Sequence, residues 1–197
     1  MSKNNFTPIN LSSFTNANSL SKNLIGPKGI NPKSGQVICG DVGISIDRNG
    51  NWHHHGSLIV RIELVRLFAS VLQRDDDGYY WLITPAEMAK IEVEDAPFLA
   101  VELFKTGSGT KQTLSLRTNL NAMIDVDAKH PIRIDINSNS GEPSPYVVLD
   151  GNVEAKISRS VYYELVSLSV KKNHESKIFG VWSKDVFFSL GSLGIES

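Results

Sequence analysis

The chain has 197 residues, 41% hydrophobic and 21% charged, with 20 basic against 21 acidic side chains and a net charge of −1. That balance suits an ordinary globular chain of one large or two small domains, and it excludes the strongly basic footprint of a general nucleic-acid binder. The single cysteine, Cys39, excludes an intramolecular disulfide and multi-cysteine zinc patterns, and no apolar run reaches the ~18 residues of a membrane span.

No apolar h-region opens the chain, so a cytoplasmic setting is expected. Residues 1–35 are rich in Ser, Asn, Lys, Gly and Pro, and their apolar residues, Leu11 and Phe14 among them, stand isolated. Such a segment buries too little to offset its ordering entropy unless it docks on the body. A flexible or docked N-terminal tail over 1–35 is expected, with a short helix near 18–25.

From Gln36 the patterning changes. Val42, Ile44 and Ile46 alternate with small or polar residues as in a half-buried strand, and 47–50 supplies a turn to a partner strand over 51–55. Over 58–72 apolar residues dominate, with Glu63, Arg66, Ser70 and Gln73 at the spacing of one helix face. This predicts a helix covered on two sides, with Ser57 as its N-cap and 75–78 as its stop. Strands follow over 78–84 and 91–94, the second at a sheet edge. Residues 95–97 are read as a hinge, dividing an N-terminal unit (36–96) from a C-terminal one (97–197).

In the second unit, strands are expected over 98–104 and 112–117, flanking a glycine-containing hairpin loop at 106–110. More follow over 122–126, 132–136, 146–149 and 152–157, the last two forming a hairpin around Gly151. A second helix at 159–171 and strands over 178–181 and 186–190 close the chain.

A constant offset of 101 residues relates the two halves. Gly50-Asn51, Ser57, Val60, Glu63-Leu64-Val65, Leu67 and Trp81 match Gly151-Asn152, Ser158, Val161, Glu164-Leu165-Val166, Leu168 and Trp182. Ordinary residue usage gives about two chance identities in such a window; convergent hairpin–helix patterning is the alternative, and the glycine, glutamate and tryptophan at one register favour duplication over it. The expected fold is α+β, two tandem related units of largely antiparallel strands with one helix each.

Few motifs carry chemistry. Neighbouring strand side chains point to opposite faces, so only His53 and His55 of the triplet 53–55 can share an ion, and His130 and His174 are the only other histidines. Residues 75–78 resemble the start of a calcium loop but lack its spaced ligands, and read as a solvated turn. Residues 106–111 lack the phosphate-loop spacing, no Ser lies in a nucleophile elbow, and Cys39 has no recognisable base. Glu92 and Glu94 read as a solvated acidic face. No catalytic residue, metal or cofactor is expected. Arg61 and Arg66 on the first helix and Arg159 at the start of the second stand out. An arginine on an apolar element takes either an ion pair, for which Glu63 or Glu94 is available, or a ligand's carboxylate or phosphate.

Residues 39–104 resemble, motif by motif, the proteobacterial family known as domain of unknown function 1285. The resemblance is carried by Cys39-Gly40-Asp41, Asp47, Gly50, Trp52, Gly56-Ser57, Arg61, and Leu64-Val65-Arg66-Leu67-Phe68. It continues through Asp77-Gly78-Tyr79-Tyr80, Thr84-Pro85 and Val93-Glu94-Asp95-Ala96-Pro97-Phe98, with thinner matches to residue 191. The chain departs from the family at Gly43-Ile44, where an acidic residue and methionine are usual, and at Leu58, where proline is. The resemblance implies tandem α+β units, a pleckstrin-homology-like second unit, a groove between them suited to a nucleotide-like ligand, and a role in signalling.

The expectation for function is a non-enzymatic module binding a small anionic or nucleotide-based ligand between its units, since interdomain clefts are favoured ligand sites. Arg61, Arg66 and Arg159 are expected to face phosphate, Asp95 and Asn119 to offer polar contacts, and Phe98 or Tyr146 to stack on a base. The alternative is an adaptor recruiting a signalling protein through strand edges and loops.

Overall fold

The computed structural model describes residues 10–14, 26–138, 140–173 and 177–192, and the helix expected near 18–25 lies outside them. The chain divides into two units, Met1–Glu94 and Asp95–Ser197.

The described part of the first unit is a seven-stranded mixed sheet with one α-helix. Its strands are β1 (Val37–Cys39), β2 (Ile44–Ile46), β3 (Trp52–His54), β4 (Ser57–Leu58), β5 (Leu72–Arg74), β6 (Tyr80–Ile83) and β7 (Glu87–Val93), with α1 (Ile62–Ala69) between β4 and β5. They lie in the order β4-β3-β2-β7-β6-β5, and β1 also pairs with β7. β7 runs parallel to both β1 and β2 and antiparallel to β6. The strand expected over 91–94 at an edge is therefore the central one. Its buried Met88, Ala89 and Ile91 show the reason: β7 begins earlier, and its apolar run has partners on both sides.

The first helix is shorter than the 58–72 expected. Ser57-Leu58 pairs with His53 and His54 as an edge strand, and Leu72–Arg74 pairs with Tyr80–Leu82. Ser57 does not cap the helix. Arg61 holds that position in an extended conformation, without a side-chain capping bond. β-branched Ile59, Val60 and Val71 flank the shortened helix, consistent with their lost χ1 freedom in a helix. Nor is α1 covered on two sides: Val65 and Phe68 are buried, while Arg61, Ile62, Glu63 and Arg66 are exposed. Phe68 stacks on Trp52 with ring centroids 6.1 Å apart.

The turn at 75–78 is not simply solvated. Asp75 is 4% exposed, and its carboxylate accepts from the Tyr79 N–H (2.8 Å), the Asp77 N–H (3.1 Å) and the Trp81 indole (2.9 Å). Gly43, one of the departures from the family pattern, adopts φ +64°, and the His55 ring packs where a Cβ would lie.

The second unit contains β8 (Phe98–Thr106), β9 (Thr113–Thr118), β10 (Met123–Asp125), β11 (Ile132–Ile136), β12 (Pro143–Val148), β13 (Glu154–Ile157), α2 (Arg159–Ser167), β14 (Val170–Lys171), β15 (Ile178–Ser183) and β16 (Val186–Ser192). A six-stranded sheet, β10-β9-β8-β13-β12-β11, is antiparallel except where β13 runs parallel to β8. β14-β15-β16 form a separate antiparallel sheet. The buried Ser183 hydroxyl joins the two sheets, donating to Val126 O (2.6 Å) and accepting from Leu114 N (3.0 Å). The hairpins expected at 106–110 and around Gly151 form as β8–β9 and β12–β13.

α2 ends at Ser167, short of the 171 expected, because Val170-Lys171 pairs with Gly180 and Phe179. Ser158 is its N-cap, accepting from Val161 N. In each unit the helix is followed by three strands in an antiparallel meander. The 101-residue register does not carry through the helices, however. α1 buries Val65 and Phe68 whereas α2 buries Val161 and Leu165, leaving Val166 43% exposed. Architecturally the chain is α+β, two tandem sheet-rich units, with one α-helix in each among the described residues.

Candidate functional site

The strands β11, β12 and β13 build a two-faced surface by strict alternation. Ile132, Val147, Ala155 and Ile157 point to the buried side. Arg133, Tyr146 and Lys156 are direct cross-strand partners on the other face. At the start of the unit, the Asp95 carboxylate accepts from the Tyr146 hydroxyl (2.8 Å) and forms an ion pair with Lys156. The Arg133 guanidinium lies 4.7 Å from the Tyr146 ring centroid and grips Glu154 with two bonds, Nε–Oε1 at 2.8 Å and Nη2–Oε2 at 3.0 Å. It also contacts Asp135.

These contacts set the electrostatics. The Glu154 fork, assisted by Asp135 and opposed by burial, raises Arg133 above its ordinary value, so it is permanently charged. Burial and the bond to Asp95 push the Tyr146 phenol up to about 12. Each charge in the row thus has an opposite partner.

Of the expected site residues, Asp95 and Tyr146 are in direct contact. Phe98 is 8% exposed and pairs with Ala155 at the start of β8. Asn119 exchanges two bonds with Leu99, its N–H donating to Leu99 O (2.8 Å) and its Oδ1 accepting from Leu99 N (3.1 Å). Arg133, Glu154 and Lys156 were not singled out from sequence. The signal was there in Ile132-Arg133-Ile134-Asp135-Ile136, whose period-2 alternation marks a strand with one charged face.

Six of the seven arginines fall into two groups, while Arg74 donates to Gly78 O and lies over the Tyr80 ring. Arg48 pairs with Glu94, Arg117 with Glu102, and Arg133 with Glu154 and Asp135. Neither Arg61 nor Arg66 makes an ion pair with a described residue, although Glu63 and Glu94 were expected partners. Arg159, exposed in the first turn of α2, donates to the Tyr163 hydroxyl (3.1 Å), which raises its pKa, and likewise lacks a paired carboxylate among the described residues.

Two concavities lie within the first unit. One, about 340 Å3, is lined by Ser45, Ile46, Asp47, His53, Glu92 and Glu94. Burial pushes the Asp47 carboxyl up, but bonds from Asn51, His53 and Asn49 outweigh it and hold the pKa at about 2. The other, about 220 Å3, is mainly apolar and is lined by Phe14, Ile44, His54, Ser57, Leu58, Ile59, Leu64 and Phe68. Among the described residues no group of three His, Cys, Asp or Glu side chains is placed to hold a metal ion, and no helix is long and apolar enough to cross a membrane.

Comparison with known families decides the relationship. Residues 32–96 match the N-terminal domain, and residues 97–190 the C-terminal domain, of the protein family of unknown function DUF1285. The chain belongs to the DUF1285 family. A crystal structure of a DUF1285 family protein from Silicibacter pomeroyi DSS-3 is 35% identical with a TM-score of 0.73, over 85% of this chain and 91% of that one. A second, from Shewanella baltica OS155, is 28% identical with a TM-score of 0.51, over 64% of this chain and 91% of that one. No curated protein matches the chain. The DUF1285 relationship thus extends over both units.

Proposed function

We propose that this DUF1285 protein is a non-enzymatic binding module for a small anionic, nucleotide-like ligand, serving bacterial signal transduction. The observation that carries the reading is the division among the arginines. Arg48, Arg117 and Arg133 are neutralised by carboxylates, whereas Arg61, Arg66 and Arg159 are exposed and have no carboxylate partner among the described residues. A guanidinium without a carboxylate keeps its fork of donors available for a phosphate's oxygens. The buried Asp75, by contrast, is committed to hydrogen bonds within its own unit.

The finer architectural reading, a pleckstrin-homology-like C-terminal unit, belongs to the same proposal. The six-stranded sheet, antiparallel but for β13 beside β8, and the single α-helix described in that unit, α2, are what support it. The test is thermal denaturation against a panel of nucleotides. A ligand at one hundred times its Kd adds about 2.7 kcal/mol, which is roughly 5–11 °C for a chain of this size. Absence of any shift at millimolar nucleotide would count against the reading.

A second reading, an adaptor that recruits a partner by strand addition, is favoured by the edge strand β4. Leu58 is 54% exposed there, and Val60 just beyond it is 83% exposed. Capture of an extended peptide with unchanged affinity in an Arg61→Ala variant would support it.

A further inference from the structure

The N-terminal residues Leu11–Phe14 form one 3-10 turn, LSSF, docked on the first unit. In a 3-10 helix residues three apart eclipse, so Leu11 and Phe14 share a face. Leu11 is completely buried. The Glu87 carboxylate, at the start of β7, accepts from the N–H of Leu11 and from that of Ser12 (3.2 Å), two amides of the first turn. The Phe14 ring stands edge-on to Phe68 (5.4 Å) and to His54 (5.5 Å) and walls the apolar groove of about 220 Å3. The turn is thus bound as a short helical ligand is bound, by two apolar anchors at i and i+3 and a carboxylate on its leading amides.

We propose that this groove is a peptide-docking site of the first unit, that Leu11–Phe14 is its intramolecular occupant, and that it accepts a partner's helical turn of Leu-x-x-Phe chemistry in trans. Three observations carry it. The described occupant is one four-residue turn of the same chain, and tethering gives it an effective concentration in the millimolar range that a partner in trans has to match. The groove extends past Phe14, between Ile44, Leu58 and Leu64, and a longer apolar partner has room there. His54 lines it, and its Nε2 is buried without a hydrogen-bond partner among the described residues, a demand that Leu11–Phe14 leaves unmet and a peptide group can satisfy. The proposal is independent of the anionic-ligand reading, and it shares only the β4 residues Ser57 and Leu58 with strand addition.

The test uses the full chain and a fluorescein-labelled peptide of residues 8–16, with a scrambled peptide as control. Phe14→Ala removes one anchor from the occupant without altering the groove's remaining lining, and Leu11→Ala/Phe14→Ala removes both. Anisotropy is expected to show binding several-fold tighter to Phe14→Ala than to the wild type, and at least ten-fold tighter to the double variant. The peptide should also raise the melting temperature of these variants, and Glu87→Gln added to either should weaken its binding. A gain in the single variant suffices for support. No gain in either variant, equal binding of the scrambled peptide, or loss of the cooperative fold in both variants overturns the proposal.

Discussion

The indole N–H of Trp81 donates to Asp75 Oδ2 over 2.9 Å, with both residues 4% exposed. The same carboxylate accepts the Tyr79 and Asp77 amides, so one side chain terminates β5, shapes the acidic turn and anchors the tryptophan of β6. Asp75→Ala leaves a buried indole donor without a partner, a loss of roughly 1–3 kcal/mol. Asp75→Asn keeps an acceptor and is expected to lose less. Denaturant unfolding of the two variants checks the order.

Asp75 also makes stability depend on pH. Burial pushes its carboxyl up, but the bonds from Tyr79, Trp81 and the neighbouring amides prevail and hold it below the ordinary carboxylate value. A group depressed in the folded state contributes stability above its unfolded pKa and loses it as pH falls through the folded one. Acid titration of the wild type against Asp75→Asn should show a component of stability lost below about pH 4 in the wild type only.

Tyr146 carries the opposite sign. Its phenol, pushed up to about 12 by burial and by Asp95, favours the protonated form in the fold. Its contribution is complete below pH 10, the ordinary tyrosine range, and is lost as pH rises toward 12. The near-ultraviolet titration difference between the wild type and Tyr146→Phe should have its midpoint near 12. A midpoint in the ordinary range would contradict the burial of the phenol and its contact with Asp95.

The two helices give a stability test. Leu165 is completely buried, whereas Leu64, its match in sequence, is half-buried beside the apolar groove. Leu165→Ala should lose about 2–5 kcal/mol and Leu64→Ala distinctly less. Val166→Ala, on the exposed side of α2, should stay within about 0.5 kcal/mol. Chemical denaturation of the three variants decides it, and equal losses at Leu64 and Leu165 would contradict the burial pattern.

Legibility in sequence follows the range of the interactions. The hairpins at 106–110 and around Gly151 were readable because local turn chemistry determines them, Gly151 taking the left-handed φ of 72° that only glycine adopts freely. The extent of α1 was not, because short hairpins claim its flanks, Leu58 pairing with His53 and Leu72 with Leu82, and a short apolar run reads alike in a helix and in a strand. Nor was the central place of β7 readable. Its parallel pairing with β1 and β2 is non-local, and the alternation over 91–94 shows only the strand's end.

Among the site residues, the arginines were visible as charges on an apolar stretch. That Arg48 rather than Arg61 or Arg66 takes Glu94 depends on the turn at 47–50 folding beside the end of β7. The row Arg133–Tyr146–Lys156 is set by the register of three strands and had no local signature beyond its alternation. Asp75 was misread because an Asp-rich turn is ordinarily solvated, and nothing local announces that Trp81 folds back onto it.

The measurement that bears most directly on the proposed function is calorimetric titration of a nucleoside triphosphate into the wild type and into Arg61→Ala, Arg66→Ala, Arg159→Ala and Arg48→Ala. Removing a charge-assisted contact loses about 1.5–3 kcal/mol, and tenfold in Kd corresponds to about 1.4 kcal/mol. Binding should weaken about tenfold or more wherever an arginine without a carboxylate partner holds phosphate, while Arg48→Ala, whose guanidinium already pairs with Glu94, should bind as the wild type does. Unchanged affinity in all three of the first variants, or no heat at millimolar nucleotide, would contradict the account.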